Sequence, residues 1–378
     1  MKSSFSGLLA KVTLACLVSL GMVKGCLEQH TTSNATGAAH HHLQQADCHQ
    51  RIQVALSACK LGEAPNGPQP INATRAYIKE EIALKSLLAN ARCAVHLYIL
   101  VETEADAMVV RGWLQRLHSP WQPVSYTFVD VHHEAIRDHL QSIKGPSQGY
   151  MGYCGLARMF FTEILPDEER VLWMDTDTVV TTDICQIWQH LDHFNASQLV
   201  GYTGNPDAPT RDHPFGLCSC VALMDLRKMR AAGWGRSFMA AAVAAHLRDV
   251  NSAEAFPYGD QDVLRIVQRH RPGDPPLPHP LIGTESAYRL PSAWNVMPFC
   301  PEYDQAGYEE APGVFIGILH FTCTIKQHMY VNLVGFGRWA WLVQYYAEMK
   351  WEWLNEGRTE QRMFERPPIR VRSRSSAR

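Results

Sequence analysis

Residues 171–183 read VLWMDTDTVVTTD. An apolar run, Val171–Met174, delivers Asp175 and Asp177 with one residue between them, and Asp183 follows. Carboxylates at i and i+2 leave an extended strand on the same side. They can therefore converge on one hard cation such as Mg²⁺ or Mn²⁺. The end of a parallel strand in an open α/β sheet is also where ligands bind. On these residues alone three readings stand. The pair is a metal site for a nucleotide-sugar, or a haloacid-dehalogenase-type site with Asp175 as nucleophile and Asp177 as general acid. The third reading is a solvated strand end.

Position separates the first two. The dehalogenase motif opens its domain, whereas here a long strand–helix alternation comes first. RIQVALSAC (51–59), CAVHLYILVE (93–102) and VSYTFVDV (124–131) read as strands. ATRAYIKEEIALKSLLAN (73–90) and EADAMVVRGWLQRLH (104–118) read as helices, the first of them amphipathic. GLARMFFTEILP (155–166) reads as a helix closed by Pro166. The pattern predicts an α/β domain with a mostly parallel central sheet flanked by helices. The residues ahead of Asp175 are what a nucleotide-binding half would occupy.

Downstream, FGLCSCVALMDLRKM (215–229) contains a strand, SFMAAAVAAHLRDV (237–250) a helix, and PGDPPLPHP (272–280) a surface loop. YGDQDVLRIV (258–267) is a loop entering a helix, with Asp260 or Asp262 as a simple N-cap on the plainest reading. LPSAWNV (290–296) carries Trp294 and Asn295. GILHFTCTIKQH (317–328) brings His320 at the end of an apolar strand, and Lys326. A lone histidine there is usually a core residue, but beside two aspartates it completes a coordination set. Lys326 can reach a diphosphate as a point charge. GRWAWLVQYYAEMKWEWL (337–354) is a late helix whose Trp339, Leu342, Val343, Tyr346 and Met349 fall near one face and dock on the core.

The termini differ in kind. Residues 1–26 join Lys2 and Lys11 to an apolar run, Val12–Val23. That run is shorter than the roughly 20 residues of a membrane span and reads as a signal peptide or signal anchor. Residues 27–50, which include the HHH at 40–42, read as a flexible stem, and the basic 357–378 as a solvated tail. The folded domain is expected over 51–356. A formal net charge of −2 argues against a nucleic-acid binder. The 11 cysteines include no CxxC pair, and Cys218 and Cys220 form a CxC with no cysteine or histidine cluster nearby in sequence, which speaks against zinc. One or two disulfides of unread pairing fit an oxidising compartment. Sequons begin at Asn34, Asn72 and Asn195.

Taken together, the GLARMFFTEILP helix, the DTD strand with TTDICQIW after it, the DQD, the LPSAWN and the late HF…K resemble glycosyltransferase family 8. The resemblance runs over residues 51–335. It is nearest to the glucoside xylosyltransferases and to the xylosyltransferase half of the bifunctional xylosyl-/glucuronyltransferases. It implies a GT-A fold, Mn²⁺ (or Mg²⁺) dependence, a UDP-sugar donor, retention at the anomeric carbon and a glycan or glycoprotein acceptor. It implies residence in the Golgi or endoplasmic reticulum lumen, with membrane attachment through an uncleaved N-terminal segment. By the same resemblance Asp175, Asp177 and His320 hold the metal, with Asp175 also near the ribose. Arg158 lies near the nucleotide, Lys326 on the diphosphate, and Asn72 near the uridine. Asp260 and Gln261 serve the donor sugar and the reaction centre. The chain departs from the family's F-N-S-G-V at Cys218 and Cys220, where an asparagine and a glycine are replaced, and at Cys323, where a glycine is common. A Cβ takes up room at places where a glycine lets the backbone approach closely.

Overall fold

The computed structural model describes residues 51–59, 61, 71–117, 124–132, 137, 153–204, 217–235, 287–297, 316–321 and 339–356, with the side chains of 71–78 and 340 excepted. The expected signal segment, stem and basic tail lie outside the described residues. So do Asp260, Gln261, Lys326 and Cys323, and the helix read over 237–250. Only the backbone of Asn72 is described.

Seven strands form one sheet in the order β3-β2-β1-β4-β7-β6-β8. β1 (Arg51–Ser57), β2 (Ala94–Val101), β3 (Val124–Asp130) and β4 (Arg170–Met174) run parallel. β7 (Leu217–Asp225) is antiparallel to β4 and to β6 (Val200–Gly204), and β8 (Ala287–Arg289) runs parallel to β6. This is the mostly parallel sheet of a GT-A fold. Burial follows position. β4, with partners on both edges, buries Val171–Met174 completely, whereas the edge strand β3 has no fully buried residue. A strand covered on both faces must be apolar throughout, and an edge strand is free of that demand.

Helix α1 (Ile71–Ala89) connects β1 to β2, and α2 (Glu104–Leu114) connects β2 to β3. α2 starts at a capping box. Thr103 Oγ1 accepts from the Asp106 amide, and Asp106 returns a bond to the Thr103 amide. The late helix Ala340–Glu348 buries Leu342, Val343 and Tyr346 against the core as their spacing predicts, Met349 is buried just past its end, and Trp339 just before it is partly buried. The segment expected as one helix before β4 is divided. Two short helices, Tyr153–Ala157 and Phe161–Ile164, flank a 3₁₀ turn at Arg158–Phe160. The tightened turn falls at Arg158, whose side chain is engaged below the sheet end rather than along a helix face.

The chain order creates the crevice. From β1 it moves outward through β2 to β3, then returns to β4 on the other side of β1. Ligands of open α/β sheets bind at such a reversal, beyond the C-terminal strand ends. Asp175 is the first residue past β4. Among the described residues, no helix is long and apolar enough to cross a membrane.

Candidate metal and nucleotide-sugar site

After Asp177 the chain leaves the main sheet. β5 (Thr178–Val180) pairs antiparallel with β9 (Ile318–His320), with Thr178 opposite His320. The Asp177 carbonyl accepts from the Phe321 amide at 2.8 Å. β9 is held on its other side by Val296, whose amide bonds Ile318 O at 2.9 Å and whose carbonyl accepts from the His320 amide at 2.8 Å. β5 itself is clamped by α1. Ser86 Oγ accepts from the Val180 amide at 3.0 Å, and Asn90 Nδ2 donates to Val180 O at 3.0 Å. A disulfide, Cys93–Cys185, ties the start of β2 to the helix that follows. Backbone pairing therefore fixes where His320 meets the aspartates.

Asp175, Asp177 and His320 each offer a ligand atom within 4.8 Å of the others. Asp177 is 2% exposed and His320 1%. His320 Nε2 lies 3.3 Å from Asp177 Oδ1, and neither ring nitrogen makes a well-aligned hydrogen bond. Burial alone favours the neutral imidazole. The Asp177 carboxylate, and after it Cys218, outweigh burial and push the His320 pKa up to about 10. A buried imidazole without aligned partners, beside two carboxylates, is a donor set that fits a hard divalent cation.

Asp175 is oriented from behind. Its Oδ1 accepts from Arg158 NH1 at 2.8 Å and from Trp173 Nε1 at 2.7 Å, and its amide donates to Cys220 O at 2.8 Å. Arg158 also donates to Ser219 O at 3.2 Å and lies 4.9 Å from the Trp173 ring centroid. It is 1% exposed, so its charge acts on the crevice through Asp175.

Two features were not foreseen from the sequence. Glu80 on α1 is buried, and Thr176 Oγ1 donates to it at 3.2 Å from between the two aspartates. Burial pushes the Glu80 carboxyl up to about 7, against the pull of Lys79 3.6 Å away. Its signal was present: Glu80 shares a helix face with Ala83, Leu84, Leu87 and Leu88, all buried. The second concerns Cys218 and Cys220. Their isolation in sequence argued against a metal role, but β7 and β9 bring them together with His320, the three ligand atoms lying within 4.8 Å of one another. Burial raises the Cys218 thiol pKa, yet the neighbouring Cys220 thiol and His320 imidazole prevail and hold it well below the usual range. The Cys220 thiol lies well above it, because it serves as the donor to Cys218 and is buried.

An open α/β sheet with two aspartates and a histidine at its chain-reversal crevice defines a nucleotide-diphospho-sugar transferase of the GT-A type. The sequence profile of the family described as glycosyl transferase family 8 matches residues 75–327, more than half of the chain, and the protein belongs to that family. The phosphatase reading of Asp175 falls with this membership. The chain is 27% identical over 225 residues to the human xylosyl- and glucuronyltransferase LARGE2, covering 56% of this chain and 28% of that protein. It is 27% identical over 265 residues to the Gallus gallus xylosyl- and glucuronyltransferase LARGE1, covering 66% of this chain and 31% of that one. The match thus spans less than a third of the length of these relatives. Mouse xyloside xylosyltransferase 1 shares the fold at a TM-score of 0.50 and 19% identity, over 72% of this chain and 98% of that one. The glycosyltransferase GlyE of Streptococcus pneumoniae TIGR4 does so at 0.50 and 15%, over 82% and 64%.

Proposed function

We propose that this protein is a metal-dependent retaining transferase that moves a sugar, xylose for preference, from a UDP-sugar to a protein-linked glycan in the lumen of the secretory pathway. The observation that carries the reading is the meeting of Asp175, Asp177 and His320 at the crevice of a family 8 domain. Xylose is favoured because the similar proteins named above include xylosyltransferases. The luminal setting is favoured by the N-terminal apolar segment and by two disulfides, Cys59–Cys154 and Cys93–Cys185, which persist in oxidising compartments.

The chemistry supplied by a bound Mn²⁺ or Mg²⁺ is neutralisation of the charge that develops on the departing diphosphate. Asp175, Asp177 and His320 are the residues that would hold the ion. Arg158 and Trp173 fix the Asp175 carboxylate in one orientation, so the site is preorganised before substrate arrives. Asp260 and Gln261 bind the donor sugar, Lys326 steadies the diphosphate, and Asn72 borders the uridine. The bond from the anomeric carbon to the diphosphate oxygen breaks, and the acceptor oxygen bonds to the same face. The acceptor hydroxyl gives its proton to the departing phosphate. The protein's part is positioning and electrostatics.

UDP release from a panel of UDP-sugars, with and without Mn²⁺, tests this reading. Metal-dependent release that is lost in Asp177→Asn supports it. UDP binding with no turnover of any sugar would instead mark a binding relative without transferase activity.

A further inference from the structure

We propose that Cys218, Cys220 and His320 form a second, thiophilic metal site that takes Zn²⁺, sharing its histidine with the carboxylate set so that the two ions exclude one another. Cys218 and Cys220 lie on β7 with Ser219 between them, where the pairing of β7 with β6 is irregular. Their sulfurs and a ring nitrogen of His320 lie within 4.8 Å of one another. Ligand atoms around a tetrahedral zinc, at about 2.3 Å for sulfur and about 2.0–2.1 Å for nitrogen, stand roughly 3.3–3.8 Å apart. Small rotations of the side chains close that difference. The cysteines are 2% and 6% exposed, neither is in a disulfide, and Met297 packs against both. The site is therefore dry and lined by sulfur.

A second observation points to a ligand. His320, 1% exposed, has no well-aligned hydrogen bond on either ring nitrogen. Its polar neighbours are the Asp177 carboxylate, 3.3 Å from Nε2, and Cys218, each a potential ligand of an ion shared with the ring. The carboxylate set offers it a hard ion, and the cysteine set offers a soft one. Thiolates select zinc over manganese, and zinc also ranks above manganese for nitrogen donors. Three protein ligands with one open position suit an exchangeable zinc rather than a closed structural one. On binding, both sulfurs ligate as thiolates and the imidazole ligates as the neutral ring, so whatever protons the three groups carry leave to solvent. Zinc held by the cysteines takes His320 away from Asp175 and Asp177. Micromolar Zn²⁺ then inhibits the proposed Mn²⁺-dependent transfer. This inhibitory half rests on the proposed function, whereas zinc binding does not.

Cobalt serves as the spectroscopic probe on the full, reduced protein. Co²⁺ is expected to give a thiolate-to-cobalt charge-transfer band that Zn²⁺ abolishes. Cys218→Ser and Cys220→Ser should each lose most of the band and weaken Zn²⁺ by more than about tenfold. ¹¹³Cd NMR of the wild-type protein should report two sulfur ligands, and it needs no variant to fold. Absence of the band, or its survival in the double cysteine variant, overturns the site. In the activity arm, Zn²⁺ inhibition is expressed against each form's own zinc-free rate of UDP release. Relief of inhibition in the serine variants supports exclusion, and a wild-type rate indifferent to Zn²⁺ overturns it. A protein with the band but no UDP release in any form keeps the zinc site and fails the transferase reading.

Discussion

His320 Nε2 lies 3.3 Å from Asp177 Oδ1, although the two residues are far apart in the sequence. The contact follows from register. Thr178 pairs with His320 across β5 and β9, and the Asp177 carbonyl accepts from the amide of Phe321. A site built on backbone pairing is sensitive to anything that shifts β9.

Gly317→Ala tests that sensitivity. A Cβ at Gly317 would stand 2.4 Å from Trp294 Cε3, and Trp294 is 3% exposed with its Nε1 donating to His190 Nε2 at 3.2 Å. The ring cannot yield without losing that bond, so β9 moves. The expected cost is about 1–3 kcal/mol in denaturant unfolding, as for other overpacked cores. Mn²⁺ affinity should fall with it, because His320 moves with the strand.

Arg158→Ala removes the cation behind Asp175. Arg158 is 1% exposed and Asp175 keeps only Trp173 Nε1 on the same oxygen. The Asp175 side chain is 23% exposed, so water takes up part of the lost contact and the expected cost is about 1.5–3 kcal/mol. Arg158→Lys should recover less than half of it, since a lysine cannot bridge Asp175 and Ser219 O from one planar group. Chemical denaturation of the three proteins at one pH checks the order.

Glu80 makes a pH-dependent prediction. Its folded pKa, about 7, lies above the ordinary 4.5, so the folded state favours the protonated acid. The cost of ionising it is present above pH 7 and disappears as pH falls through 7 towards 4.5. Glu80→Gln should therefore stabilise the metal-free protein at pH 8.5, by on the order of 3 kcal/mol, and by almost nothing at pH 5. Thermal melts in chelator at the two pH values check it. An equal effect at both would place the benefit elsewhere.

Replacing Cys93 and Cys185 by alanine should destabilise the protein by about 3–5 kcal/mol, because the bridge closes a loop of 92 residues. The same bridge anchors the segment after β5, so Mn²⁺ affinity should weaken as well. Unfolding with and without reductant, on wild type and variant, separates the disulfide from the side-chain change.

The strand alternation and the place of Asp175 and Asp177 were legible because buried parallel strands must be apolar and their C-terminal ends carry ligands. His320 was legible as the polar end of an apolar run. The break in the helix around Arg158 was not, because GLARMFFTEILP keeps helical spacing while the tertiary partners of Arg158 lie on β4 and β7. The meeting of Cys218 and Cys220 with His320 was hidden for a related reason. Metal sets are read from local spacing, whereas this one is closed by a histidine from another sheet. Glu80 was overlooked because the KEE triplet containing it reads as a solvated helix face, although its own face is apolar.

The most direct measurement is Mn²⁺ binding itself, followed by the electron paramagnetic resonance of free Mn²⁺ as wild type, Asp177→Asn and His320→Ala are titrated with UDP present. One tight equivalent in the wild type is expected, weakened by more than about tenfold in each variant. Equal Mn²⁺ affinity in wild type and His320→Ala would contradict the account.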